Sequence, residues 1–198
     1  VQVVIHFWYH TEEDFKKSLR KILLKSPKSS SSLFFNQLYG GRHSKAVLGD
    51  LLVAFINYSM ATYKIAGVHV GIEQEIIKKV GEIIGYNNSF GGTFPTGGSM
   101  SNFMSLIMAR DKVDETIKEE GVAKNLIAYT SENTHYSVYK NASFAGIGKK
   151  NVRIIQANSK GQMSVKALKT QIKEDLDSGF IPFYLNATAG STVLCAFD

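Results

Sequence analysis

From residue 94 onward, short apolar runs alternate with amphipathic stretches, and this alternation constrains the chain more than any other feature. The run Phe94-Pro95-Thr96-Gly97-Gly98-Ser99-Met100-Ser101-Asn102 turns into a helix that carries Phe103, Leu106, Ile107, Arg110 and Val113 and ends near Lys112. Residues 125–130 (Asn-Leu-Ile-Ala-Tyr-Thr) read as a short strand, and residues 135–145 as a helix closed by Gly146. Residues 152–156 (Val-Arg-Ile-Ile-Gln) are a second strand. Residues 164–177 are a helix with Val165, Leu168, Ile172 and Leu176 inward, and residues 181–185 a third strand. Strands and helices in strict alternation, joined by short turns, predict an α/β fold with a mainly parallel sheet covered by helices. In such sheets ligands gather at the carboxyl ends of the strands. His135 and Thr192 each fall just after a predicted strand.

The first part of the chain reads differently. Residues 11–25 repeat apolar side chains at helical spacing, with Phe15, Leu19, Ile22 and Leu23 on one face. Residues 26–32 (Ser-Pro-Lys-Ser-Ser-Ser-Ser) are a loop or linker. The expected division is an N-terminal arm and linker over residues 1–32 and a main domain over residues 33–198. Residues 45–64 predict a mostly apolar helix buried on several sides. Residues 70–84 predict a helix with Ile72, Ile76, Ile77, Val80, Ile83 and Ile84 on one face, closed by Gly85.

With 198 residues the chain can build one real core. Its charged share of 20% and hydrophobic share of 44% are ordinary for a soluble globular protein. No apolar run is long enough to span a bilayer, so no membrane partner is expected. The first residues lack a basic segment ahead of an apolar one; they read as an interior start and not as a signal peptide. Cys195 has no second cysteine to pair with, which fits a reducing, cytoplasmic compartment. The net charge is +6, but the lysines are scattered among acidic residues and no basic stripe is interleaved with aromatics. Nucleic-acid binding is therefore not expected.

Gly97 and Gly98 let the backbone turn tightly and approach a ligand closely. Ser99 and Ser101 add hydroxyls beside the free amides of a helix start, a site that favours a phosphate. Taken alone, the segment reads as a Gly-rich turn with a Ser cap, and only further segments tip it towards a ligand site. A lone His is ordinarily a surface or capping residue, and His6, His10, His43 and His69 are read so. None of them has metal-ligand spacing with Cys or acidic partners, and no metal is predicted.

Two further segments stand in register with the Gly-Ser turn. One is residues 130–140 (Thr-Ser-Glu-Asn-Thr-His-Tyr-Ser-Val-Tyr-Lys); the other is residues 182–198 (Pro-Phe-Tyr-Leu-Asn-Ala-Thr-Ala-Gly-Ser-Thr-Val-Leu-Cys-Ala-Phe-Asp). With residues 33–38 (Leu-Phe-Phe-Asn-Gln-Leu), the chain resembles the pyridoxal-phosphate-dependent group II amino-acid decarboxylases, in their glutamate and cysteine-sulfinate branch. The resemblance implies an aminotransferase-like, type I large domain, incomplete in this chain. It implies pyridoxal 5'-phosphate as cofactor, a small acidic L-amino acid as substrate and a homodimer as the working form.

The resemblance assigns Gly98, Ser99, Met100 and Ser101 to the phosphate cradle, Met100 through its backbone. It makes His135 the residue that stacks on the pyridine ring and assists proton handling at the reacting carbon. It places Thr192 close to cofactor and substrate carboxylate, and Ser191 stands where the family usually has Thr. Gln37 matches the contact to the substrate's distal acid. Tyr39 replaces a small residue at a substrate-contacting position, which shifts the expectation towards a shorter acid such as cysteine sulfinate or aspartate over glutamate. In the family, the Lys that carries the cofactor and the Asp that pairs with the pyridinium nitrogen lie downstream of Ala196-Phe197-Asp198. Asp198 is read as closing a structural segment and Lys140 as structural. The chain is thus expected to be an N-terminal portion, inactive alone and completed by a C-terminal remainder. Rival readings are a lyase of another substrate class, such as one acting on sphingoid phosphates, and a non-catalytic homologue.

Overall fold

The computed structural model describes residues 11–36, 38–87, 89–122 and 125–198. They fall into two compact units divided between Ile72 and Glu73.

In the first unit, α1 (Glu12–Lys25) starts where the Thr11 hydroxyl accepts the Asp14 amide at 3.3 Å. Glu12, Glu13 and Asp14 fill its first turn and complement the positive end of the helix dipole. Turns and coil over residues 26–36 follow, as the Ser-rich composition predicts. The apolar helix expected over residues 45–64 is shorter. It runs as α2 (Ser44–Ile56) and stops because Asn57 adopts a left-handed conformation at φ 51. It is not buried on several sides either: Leu48, Leu51, Leu52, Val53 and Phe55 are exposed. A single turn, α3 (Tyr63–Ala66), leads to α4 (Val68–Ile84), and the His69 ring stands edge-on to Tyr58, their centroids 5.0 Å apart.

The second unit takes up the rest of α4. That helix ends at Gly85, whose φ of 92 only glycine adopts freely; the amides of Gly85 and Tyr86 both return to the Gly81 carbonyl at 3.0 Å. Gly81 is buried because the Phe90 ring occupies the space a side chain would need.

The centre of this unit is a three-stranded parallel sheet in the order β2-β1-β3, with β1 (Leu126–Ser131), β2 (Val152–Ile155) and β3 (Ile181–Asn186). Ala128 pairs with Val152 and Leu126 with Ile181. Every residue of β1 is buried, as a parallel strand covered on both faces requires. Alternate side chains serve opposite layers. Leu126 and Ala128 pack with Leu106 of α5 (Gly98–Val113), Ile117 of α6 (Ile117–Glu120), and Val138 and Ala142 of α7 (Ser137–Phe144). Ile127 and Tyr129 pack with Ile155, Met163, and Leu168 and Ile172 of α8 (Val165–Asp177).

On α8 the expected inward set is half corrected. Leu168 and Ile172 face the core, but Val165 and Leu176 are exposed and Asp175 is buried instead. The Asp175 carboxylate accepts the Arg153 guanidinium in a fork, Nε at 2.9 Å and Nη2 at 2.7 Å, and the Tyr129 hydroxyl at 3.0 Å. A buried charge needs such partners. Burial alone would raise the Asp175 carboxyl; the bonds from Arg153 and Tyr129 outweigh it and hold the group below its usual range. Burial first, and then the carboxylate it donates to, push the Tyr129 hydroxyl well above the ordinary tyrosine value.

Candidate functional site

The expected residues of the second unit lie on loops at the carboxyl ends of β1 and β3 and at the start of α5. Gly97, at φ 94, turns the chain into α5, and no side chain caps the helix. The amides of Met100 and Ser101 both go to the Gly97 carbonyl, at 3.1 and 3.2 Å. Those of Gly98 and Ser99 have no partner among the described residues. The space where Gly97 and Gly98 would carry a Cβ is open. The Ser101 hydroxyl reaches back to the Gly97 carbonyl at 3.4 Å. The cradle thus offers two unpaired amides at the positive end of a helix dipole, with the Ser99 and Ser101 side chains exposed beside them.

α7 fixes this helix start from the side. Asn141 donates its amide to the Ser99 carbonyl at 3.0 Å, and Asn102 donates its amide to the Ser137 hydroxyl at 2.9 Å. Ser137, fully buried, contacts His135 Nδ1 through its hydroxyl at 2.8 Å and gives it the backbone amide at 3.3 Å. His135 thereby stands ahead of α7, joined through Ser137 and Asn102 to the cradle. Its ring leans on Tyr136, centroid to centroid 4.3 Å, and Lys140 Nζ lies 6.0 Å from the centroid of the same Tyr136 ring.

The loop after β3 comes to the same place. His135, Tyr136, Thr188, Ser191 and Thr192 line one cavity of about 380 Å³. Asn186, at the end of β3, donates to the Thr134 hydroxyl at 2.9 Å and so ties this loop's root to the His135 segment. Ser191 is buried, and its hydroxyl accepts the Ala196 amide at 3.1 Å, which makes it the closure of the turn that exposes Thr192. The Asp198 carboxylate accepts the amides of Met163 at 2.7 Å and Thr188 at 3.0 Å, a structural clasp, as its place in the sequence suggested.

Gln37 lies outside the described residues. Tyr39 belongs to the first unit, is 55% exposed and meets Phe34 edge-on at 5.5 Å. Sequence reasoning missed Asn102, Ser137, Asn141 and Asn186 as supports of the site. Asn102 and Ser137 both lay within the segments singled out, but their pairing spans 35 residues and has no local signature. Among the described residues, no group of three His, Cys, Asp or Glu is placed to hold a metal ion, and no helix is long and apolar enough to cross a membrane.

Known proteins resemble this chain in sequence and in fold. The pyridoxal-dependent decarboxylase conserved domain matches residues 9–198. The acidic amino acid decarboxylase GADL1 of Xenopus tropicalis is 37% identical over 90% of this chain and 35% of its own length. The cysteine sulfinic acid decarboxylase of Rattus norvegicus is 36% identical over 95% of this chain and 38% of its own. The crystal structure of mouse CSAD in apo form superposes with a TM-score of 0.93 at 35% identity, covering 100% of this chain and 42% of that one. The chain therefore spans well under half the length of these relatives. Its fold is the decarboxylase fold in part, and by the domain match and these likenesses the chain belongs to the pyridoxal-dependent decarboxylase family.

Proposed function

We propose that this chain supplies the phosphate cradle and ring-covering histidine of a pyridoxal-phosphate-dependent α-decarboxylase for a small acidic L-amino acid. The observation that carries the reading is the hydrogen-bonded link from the uncapped start of α5 through Asn102 and Ser137 to His135, which shares its cavity with Thr192. The residues present fit a flat, phosphorylated group. Two unpaired amides, two serine hydroxyls and a glycine turn with no Cβ suit a phosphate dianion, and an imidazole pinned at Nδ1 suits a ring face.

In this reading Gly98 and Ser99 bind the phosphate through their amides, and Ser99 and Ser101 through their hydroxyls. Met100, whose amide is engaged with Gly97, takes part through the turn it helps to close. His135 covers the ring and handles the proton delivered to the α carbon. Thr192 approaches the substrate carboxylate. When bound, pyridoxal phosphate supplies the electron sink for the pair left on the α carbon as carbon dioxide departs. The net change is loss of carbon dioxide and gain of one proton at that carbon, an amino acid giving an amine.

The substrate assignment rests on Gln37, an amide suited to a distal acid, on Tyr39, which is bulkier than the small residue the family usually has there, and on relatives named for acidic amino acids and cysteine sulfinate. The working enzyme is a cytoplasmic homodimer in which the rest of the polypeptide supplies the lysine that carries the cofactor. The test is a substrate panel on the full-length protein and its Gln37→Leu variant. The variant is expected to lose kcat/KM for cysteine sulfinate, aspartate and glutamate and to leave apolar amino acids little changed. Preference for aromatic amino acids, with the variant indifferent, would end the acidic reading.

A further inference from the structure

The contacts around His135 fix more than its position. The Ser137 backbone amide can only donate, and it points at Nδ1 from 3.3 Å. Nδ1 therefore accepts, and the proton of the neutral ring resides on Nε2. The Ser137 hydroxyl is 2.8 Å from the same nitrogen. Its oxygen already receives the Asn102 amide at 2.9 Å, so its own proton is free to go to Nδ1. The two donors agree. Ser137 is 0% exposed, so water does not compete for its hydroxyl.

We propose that Ser137, oriented by Asn102, is a positioning residue that locks His135 in the tautomer protonated at Nε2 and couples that ring to the phosphate cradle. Asn102 stands one residue beyond the cradle serine Ser101, so occupancy of the cradle and orientation of the ring share one frame. The imidazole keeps Nε2–H as its only donor, and a group placed against that edge meets a donor and not a base. The functional weight of this arrangement rests on the decarboxylase reading; the tautomer itself does not. The alternative is plain capping, in which His135 merely serves the first turn of α7.

The experiment reads the two nitrogens of His135 by 15N NMR in the cofactor-free full-length protein, a measurement that does not depend on decarboxylation. A pyridine-like Nδ1 and a pyrrole-like Nε2 are expected. A pyrrole-like Nδ1 overturns the proposal. In Ser137→Ala the Nδ1 resonance is expected to move, and in the loaded enzyme kcat should fall roughly 10- to 100-fold with KM nearly unchanged, as when the outer partner of a working histidine is removed. Ser137→Thr, which keeps the hydroxyl, should restore both. If Ser137→Ala does not fold, Asn102→Ala is read in the same way. Unmoved 15N resonances and full kcat in the folded variant overturn the positioning role. A wild-type protein with the expected 15N pattern but no decarboxylation of any amino acid sinks the functional reading and leaves the tautomer standing.

Discussion

Asp198 and Thr188 bind each other twice: the Thr188 amide donates to Asp198 Oδ2 at 3.0 Å, and the Asp198 amide donates to the Thr188 carbonyl at 3.0 Å. With the Met163 amide on Oδ1, this clasp closes the base of the loop that presents Thr192. Asp198→Ala leaves both amides without their acceptor and is expected to cost about 2 kcal/mol, near the value of one hydrogen bond to a charged group. In full-length protein, urea unfolding should show that loss, and cofactor affinity should fall with it. Stability within error of wild type would refute the clasp.

Cys195 sits in the same turn at φ 50, where a side chain crowds the backbone. Cys195→Gly removes that strain, offset in part by glycine's greater freedom in the unfolded chain. A net gain of about 0.5–1 kcal/mol is expected, seen as a Tm rise of about 2 °C. A lower Tm would show that the thiol makes contacts worth more than the strain.

Asp175 makes stability depend on pH in a definite direction. Its folded pKa lies below the unfolded value of about 3.9. It therefore contributes stability above that pH and loses it as pH falls through the folded value. Asp175→Asn is expected to cost about 3 kcal/mol at pH 7, because Arg153 loses its partner. It should also flatten the decline in stability below about pH 4. Denaturation curves at pH 7 and along an acid series check both; an acid limb as steep as wild type would exclude Asp175 as its source.

Ser99→Ala and Ser101→Ala test the cradle. Each lost hydrogen bond to a phosphate dianion is worth about 1.5–3 kcal/mol, so each variant of the full-length protein should bind pyridoxal phosphate at least tenfold more weakly. Thermal stability without cofactor should hardly change, since both side chains are exposed. Equal affinity in the double variant, measured by cofactor titration, would remove these hydroxyls from the site.

His135→Ala should lower turnover far more than stability. The side chain is exposed, and its loss costs the start of α7 a local acceptor for the Ser137 amide and hydroxyl and the ring contact with Tyr136. Parallel measurement of kcat and Tm decides it, and a variant that loses stability while keeping kcat would reduce His135 to a cap.

The alternation of strands and helices, the parallel sheet, the glycine turn into α5 and the loops that carry His135 and Thr192 were legible from the residues alone. Those features are local: a period of apolar residues names a face, and a glycine at positive φ names a turn. Which faces meet was settled by the folded arrangement. It buried Asp175 where an apolar stripe predicted Leu176, because Arg153 and Tyr129 on the neighbouring strands stand ready to bind a carboxylate there. It ended α2 at Asn57, where a left-handed residue stopped an otherwise continuous apolar pattern. It joined Asn102 to Ser137 across 35 residues and brought Thr192 into the cavity of His135. Such pairings depend on strand order and helix packing, which a local pattern does not encode, because a side chain's partner is chosen by where the sheet brings the next loop.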